Sequence, residues 1–188
     1  MTRKLNVNPA LRLKERIVIL APKDIIYIRL TGDYPSHTYS ETYAQLFYYV
    51  CRSKDFAEEM SNHHDVTPTL AIARLYKEGR MASLSICRDD PKETDESQLR
   101  MDVALALPFR IEAKGQIETT TIEGGKYVVY TYQGPYSGLA CASDTIFHHL
   151  LAANNHRQDD RTPFCQYLND PSRTKPDELL TDFYVPIL

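Results

Sequence analysis

The side chains in this 188-residue chain that could carry chemistry are four cysteines, six histidines, paired acidic residues and 13 tyrosines. Their spacing decides how much of that chemistry is open. Cys51, Cys87, Cys141 and Cys165 form no C-x₂-C pair, which argues against a structural zinc site, and in a chain of this size against a disulfide framework. Cys165 as a nucleophile would need an electropositive neighbour or a helix N-terminus to lower its pKa, and the local sequence offers neither. His148, His149 or His156 could reach it only through the fold, so the expected role is a passive thiol. His63-His64 and His148-His149 are adjacent pairs, whose side chains diverge by about 100° on a helix. They lack the i, i+4 spacing that sets two ligands on one metal, and no metal site is expected. Asp89-Asp90 with Glu93, Asp95 and Glu96 resembles a carboxylate cluster, but Pro91 beside it, and Asn169-Asp170-Pro171 later, mark turn chemistry. Gly124-Gly125 is followed by a strand rather than a helix, so it is no phosphate cradle. No catalytic residue, cofactor or nucleotide site emerges. Tyrosine remains, an apolar ring with a polar tip that suits a ligand cleft.

The elements that must position these residues come twice. Ile26-Ile-Tyr-Ile-Arg-Leu-Thr-Gly32-Asp-Tyr34 reads against Val128-Val-Tyr-Thr-Tyr-Gln-Gly134-Pro-Tyr136. Asp90-Pro91…Thr94…Leu99…Asp102 reads against Asp170-Pro171…Thr174…Leu179…Asp182 at a constant offset of 80 residues. Such self-similarity predicts a duplicated unit with a cleft between its halves. Each half reads as β(β)–α–β–β. Residues 16–20, 24–30, 80–87 and 99–107 are strand-like in the first half, and 116–122, 126–132, 164–168 and 182–187 in the second. Thr38-Tyr-Ser-Glu41 fits a capping box, and Tyr39, Tyr43, Leu46, Phe47 and Val50 then fall on one helical stripe. A second helix is expected at about 138–153. Residues 1–15 read as a polar tail or linker, 16–107 as the first repeat and 116–188 as the second.

The spacing from Gly32 to Asp90 exceeds that from Gly134 to Asp170 by 22 residues (58 against 36). The excess falls near 52–79, with Thr67-Pro68 opening a helix-like run at 69–78. An insertion usually lies on the surface; here it could also fold over the cleft as a lid. A net charge of −3 argues against general nucleic-acid binding. No apolar stretch reaches the roughly 20 residues of a bilayer span, and Ile17–Ala21 is too short for a signal peptide. A cytoplasmic protein is expected, with no direct nucleic-acid or membrane partner.

The motifs Tyr-x-x-x-Gly-x-Tyr, Asp-Asp-Pro with Leu-Arg-x-Asp, Gly-Gly-Lys-Tyr-x-Val-Tyr-x-x-x-Gly-Pro-Tyr and Tyr-Leu-Asn-Asp-Pro resemble the GyrI-like family across about 16–188. That family includes effector-binding domains of AraC- and MerR-type transcription regulators and stand-alone gyrase-inhibitor proteins. The resemblance implies an α+β fold of tandem, SHS2-like βαββ units, with helices on the convex side of antiparallel sheets and a small-molecule, multidrug-type cleft between the halves. Alternation along the strands suggests a similar partition. Leu84, Ile86, Val103, Leu105 and Leu107 would meet helices. Tyr27, Ser85, Cys87, Asp102, Ala104, Cys165, Tyr167, Asp182 and Tyr184 would line the ligand site, with Ala106.

Family members commonly carry a pocket glutamate two residues before the tyrosine of the Tyr-Leu-Asn-Asp motif, where this chain has Cys165. A carboxylate about 4 Å from a cation is worth roughly 4 kcal/mol at an effective dielectric of 20. Recognition of cationic aromatics then depends on Asp102 or Asp182 replacing that charge. The leading expectation is a module that senses or sequesters an aromatic or amphipathic compound, with DNA binding left to a fused domain. The alternative is a gyrase-inhibitor-like interaction protein that uses the 52–79 segment. Hydrolysis of electrophiles, which the family resemblance also implies, would lack its glutamate base here.

Overall fold

The computed structural model describes residues 12–34, 39–61 and 67–188. The Thr38 cap, the Pro35 turn, His63-His64 and most of the N-terminal tail therefore lie outside the described residues. The chain is α+β, with every strand pair antiparallel, and it divides into two compact units. One holds Pro22–Glu123, and the other joins the residues up to Ala21 to Gly124–Leu188.

The Pro22–Glu123 unit is built from β2 (Lys23–Thr31), α1 (Tyr39–Arg52), α2 (Lys54–Ser61), α3 (Pro68–Lys77), β3 (Ala82–Cys87), β4 (Arg100–Ala106) and β5 (Glu118–Ile122), with strand order β3-β4-β2-β5. The expected helical stripe packs as the spacing dictates. Leu46 and Val50 are buried, with Tyr39, Tyr43 and Phe47 beside them, over Ile26, Ile28, Val103 and Leu105. Phe56 of α2 and Ala71 and Leu75 of α3 belong to the same core. The described helices of the inserted segment thus belong to the core of the unit, because their apolar side chains complete its packing. Its first helix opens on Ser53, whose Oγ accepts from the Phe56 N–H at 3.1 Å. Ser53→Ala should cost about 1 kcal/mol, read as a melting temperature lower by about 2–4 °C. An unchanged value would return the insertion to the periphery.

The second unit contains β1 (Arg12–Leu20), β6 (Gly125–Gln133), α4 (Leu139–Thr145), a π-helical turn at Ile146–Leu150, α5 (Leu151–Ala153), β7 (Phe164–Tyr167) and β8 (Leu180–Pro186), in strand order β1-β6-β8-β7. Val128, Tyr130, Phe183 and Val185 face Ala142, Ile146 and Leu151. Two boundaries differ from the sequence reading. Strand β1 starts at Arg12, so residues 12–15 are sheet and not tail. It pairs with β6, while β5, expected to open the second repeat, pairs with β2. Each unit therefore takes one outer strand from the segment preceding the other half. Pairing partners this far apart in sequence leave no local signature.

The quoted motifs have local structural causes. The Gly32 N–H donates to the Leu99 carbonyl at 2.8 Å, and the Gly134 N–H donates to the Leu179 carbonyl at 2.9 Å. Asp90 and Asp170 each accept from the backbone N–H two residues on, at 2.8 Å, as their turn setting requires. Gly134 sits at φ +156°, and a Cβ there would fall 2.4 Å from the Tyr132 hydroxyl.

Candidate functional site

Two sheet faces, one per unit, carry the polar groups that the helices do not cover. In the Pro22–Glu123 unit, register places Tyr27 with Ala104 and Arg29 with Asp102 on the face away from α1–α3. Asp102 is 0% exposed and is held from two sides. Arg29 donates to it through Nε at 2.7 Å and Nη2 at 3.0 Å, and Arg88 through Nε at 2.7 Å. The pairing keeps the Arg29 guanidinium protonated beyond its ordinary range. Arg29 also lies 5.5 Å from the centre of the Tyr27 ring. The Tyr27 hydroxyl donates to Glu118 at 2.7 Å, and burial together with that carboxylate pushes its pKa up.

The second unit repeats the theme with different partners. Asp182 accepts from Arg16 Nη2 at 2.5 Å and from Thr131 Oγ1 at 2.5 Å. Beside it Tyr184 stacks on Phe164 at 4.6 Å and 6°, and Tyr127 meets both rings edge-on at 6.2 and 5.9 Å. Burial, then the Asp182 charge, raises the Tyr184 pKa. Arg161 covers the Tyr127 ring at 4.7 Å. It is fixed there by the carbonyls of Gly124 (2.7 Å), Lys126 (3.0 Å) and Ile187 (3.3 Å), and by Asp159. The room for it comes from Gly125, at φ +128°, where a Cβ would lie 2.3 Å from Arg161 Nη1.

Five of the nine expected site residues, Tyr27, Asp102, Ala104, Asp182 and Tyr184, stand on these two faces. Four do not. Ser85 pairs with Val103 and Cys87 with Met101, which puts both on the helix-covered side. Ser83, of the same parity, meets the α3 residue Tyr76 hydroxyl to Oγ at 2.6 Å. Leu84 and Ile86 point the opposite way from the expectation. Cys165 pairs with Phe183 and packs against the helix-side core, and Tyr167 pairs with Thr181 and meets Tyr136 edge-on at 5.3 Å. The cause is the same in both strands. Leu84, Ile86 and Phe164 are buried on the face away from the helices, so apolar alternation no longer says which side the helices occupy. Arg16, Arg29, Arg88, Arg161, Tyr127 and Phe164 were missed. The parity of Arg29 with Tyr27 was the one available signal.

The Pro22–Glu123 unit also holds a depression of about 200 Å³ beside Asp24, Leu107, Phe109, Arg110 and Thr119. That is below the roughly 300–1,000 Å³ of ligand pockets, and none of the nine residues lines it. Among the described residues, no group of three or more His, Cys, Asp or Glu is arranged to hold a metal, and no helix is long and apolar enough to cross a membrane.

Asp159 is kept below the usual carboxylate range by its bonds to the Arg161 guanidinium. A depressed folded-state pKa contributes stability that is complete above the unfolded value near 3.9 and is lost as pH falls through the folded one. The stability gap between the parent and Asp159→Asn should therefore be widest near neutrality and close below about pH 4. Urea midpoints across pH 7 to 2 test this; a gap independent of pH would refute it.

A family model described as the GyrI-like small molecule binding domain matches residues 14–188. Among solved structures, EcmrR in its DNA complex aligns with a TM-score of 0.64 at 14% identity, over 93% of this chain and 57% of that one. This chain thus spans little more than half of that protein. The EcmrR C-terminal domain alone gives 0.56 at 14% identity, over 95% and 98%. A hydrolase from Listeria innocua gives 0.58 at 15%, over 93% and 92%. At such identities the likeness establishes the fold alone.

Proposed function

Since the chain belongs to the GyrI-like small-molecule-binding domain family, we propose that it binds a small aromatic ligand of neutral or anionic character, as a sensing or sequestering module. Support for the chemistry comes from the two sheet faces. One combines Tyr127, Phe164 and Tyr184; the other sets Tyr27 beside two arginines. The charge preference rests on a single observation: the two buried carboxylates on these faces, Asp102 and Asp182, are already engaged by arginines, while the third, Glu118, accepts from the Tyr27 hydroxyl. A lipophilic cation placed near Asp102 would meet two guanidinium groups as well as one carboxylate. The matched glycine and aspartate bonds in the two units support reading them as copies of one ancestral unit. The packing of Phe56, Ala71 and Leu75 into the core weakens the case for the inserted helices as a separate protein-binding surface.

Thermal shift with isosteric probes tests this reading, because a ligand of the native state raises the melting temperature by mass action. Triphenylphosphine oxide and tetraphenylborate should raise it, and tetraphenylphosphonium should not. Arg88→Gln should admit the cation. If none of the three probes shifts either protein, small-molecule binding of this kind is wrong. A cation response by the parent protein would leave binding intact but overturn the charge argument.

A further inference from the structure

We propose that the free edge of β1 pairs with β1 of a second copy of this chain to form a twofold dimer. Among the described residues, β1 has one neighbouring strand, β6. Its other edge has no strand partner among the described residues for its backbone N–H and C=O groups, an edge that sheet proteins ordinarily blunt with a short strand, proline or charge. At the edge of the other unit, β5 is five residues long and reads Glu-Thr-Thr-Thr-Ile. By contrast β1 runs for nine residues without proline, and although Arg12, Lys14, Glu15 and Arg16 charge its first part, it ends in the uncharged run Ile17-Val18-Ile19-Leu20. Ile17 is 52% and Ile19 78% exposed. Both share the helix-side parity of Glu15, which is tied to Asn154 and His156 just past α5. The helices give Ile17 and Ile19 no comparable cover.

The occupant follows from the charge pattern of the strand. In an antiparallel pair of identical strands related by a twofold perpendicular to the sheet, the same face stays uppermost, so residues of equal parity oppose each other. Centring the pair on Arg16 sets that arginine against its own copy. Centring it on Glu15 sets Glu15 against Glu15 and Lys14 against Arg16. Like charges directly opposite are destabilising. Centring on Ile17 leaves Ile19 against Glu15. Centring on Val18 sets Ile17 against Ile19 twice, Val18 against Val18 and Arg16 against Leu20. Among registers that pair residues of β1 with one another, that one alone covers both exposed isoleucines with apolar partners and opposes no like charges.

Sedimentation velocity of the intact chain at tens of micromolar should show a dimer. Ile17→Lys and Ile19→Glu change exposed side chains and should each weaken it by tenfold or more while leaving the melting temperature near the parent value. Mixing the two variants should restore the dimer, because the new lysine and the new glutamate then lie opposite each other and the remaining isoleucines still meet. Thr120→Lys on β5 should have no effect. A monomeric parent overturns the proposal, as does a dimer indifferent to both β1 substitutions. Failure of the mixture to recover overturns the register. Should a β1 variant not fold, Ile19→Thr supplies the same comparison with a smaller change.

Discussion

Replacing Arg29 and Arg88 together by alanine should destabilise the protein by about 1 kcal/mol or more beyond the sum of the two single replacements. Either single variant leaves Asp102 with one guanidinium still neutralising it, and the cost should stay at about 1.5 kcal/mol, the lower end of the range for a hydrogen bond to a charged group. The arginines are themselves 34% and 24% exposed, so losing one strands no buried cation. Asp102 is different: at 0% exposure it has no water to turn to once both partners are gone. Stranding a buried charge costs about 3–5 kcal/mol. A double-mutant cycle in urea should therefore show a coupling of about 1 kcal/mol or more, beyond the roughly 0.5 kcal/mol scatter of independent sites. Additivity within that scatter would mean that Asp102 finds another partner and that the two guanidinium groups act separately.

Tyr127→Ala should cost about 3–5 kcal/mol, the range for deleting a buried aromatic ring. The ring is 1% exposed, meets Phe164 and Tyr184 edge-on and lies under Arg161. Its removal opens a void and strips the guanidinium of its aromatic face at once. Phe164→Leu keeps most of the volume and loses only the stacked partner of Tyr184, so it should cost far less, about 1–2 kcal/mol. Chemical denaturation of the two variants separates these contributions. Equal losses would mean that volume is irrelevant there and that ring geometry alone matters.

Much of this was legible in the chain. The stripe from Tyr39 to Val50 declared α1 and its buried face, and Val103 and Leu105, with Leu107 just past the strand, declared the helix side of β4, because large apolar residues stand on that side and only Asp102 and small alanines on the other. The same logic failed for β3 and β7, where the more apolar residues, Leu84, Ile86 and Phe164, are buried on the side away from the helices. Asp102 and Asp182 were found as unusual strand residues, but not their partners. Arg29 lies 73 residues from Asp102 and Arg16 lies 166 from Asp182. Contacts over such separations follow from strand order, and strand order here depends on the exchange of β1 and β5 between the units.

The missing side chain at Gly125 has an evolutionary reading. A Cβ at that position and the guanidinium of Arg161 claim the same volume, and the bonds of Arg161 to three carbonyls and Asp159 leave it little room to withdraw. A change of either residue alone is then unfavourable: a side chain at 125 evicts the arginine, and loss of the arginine leaves an empty socket above Tyr127. In related sequences positions 125 and 161 should drift as a pair, with 159 following them.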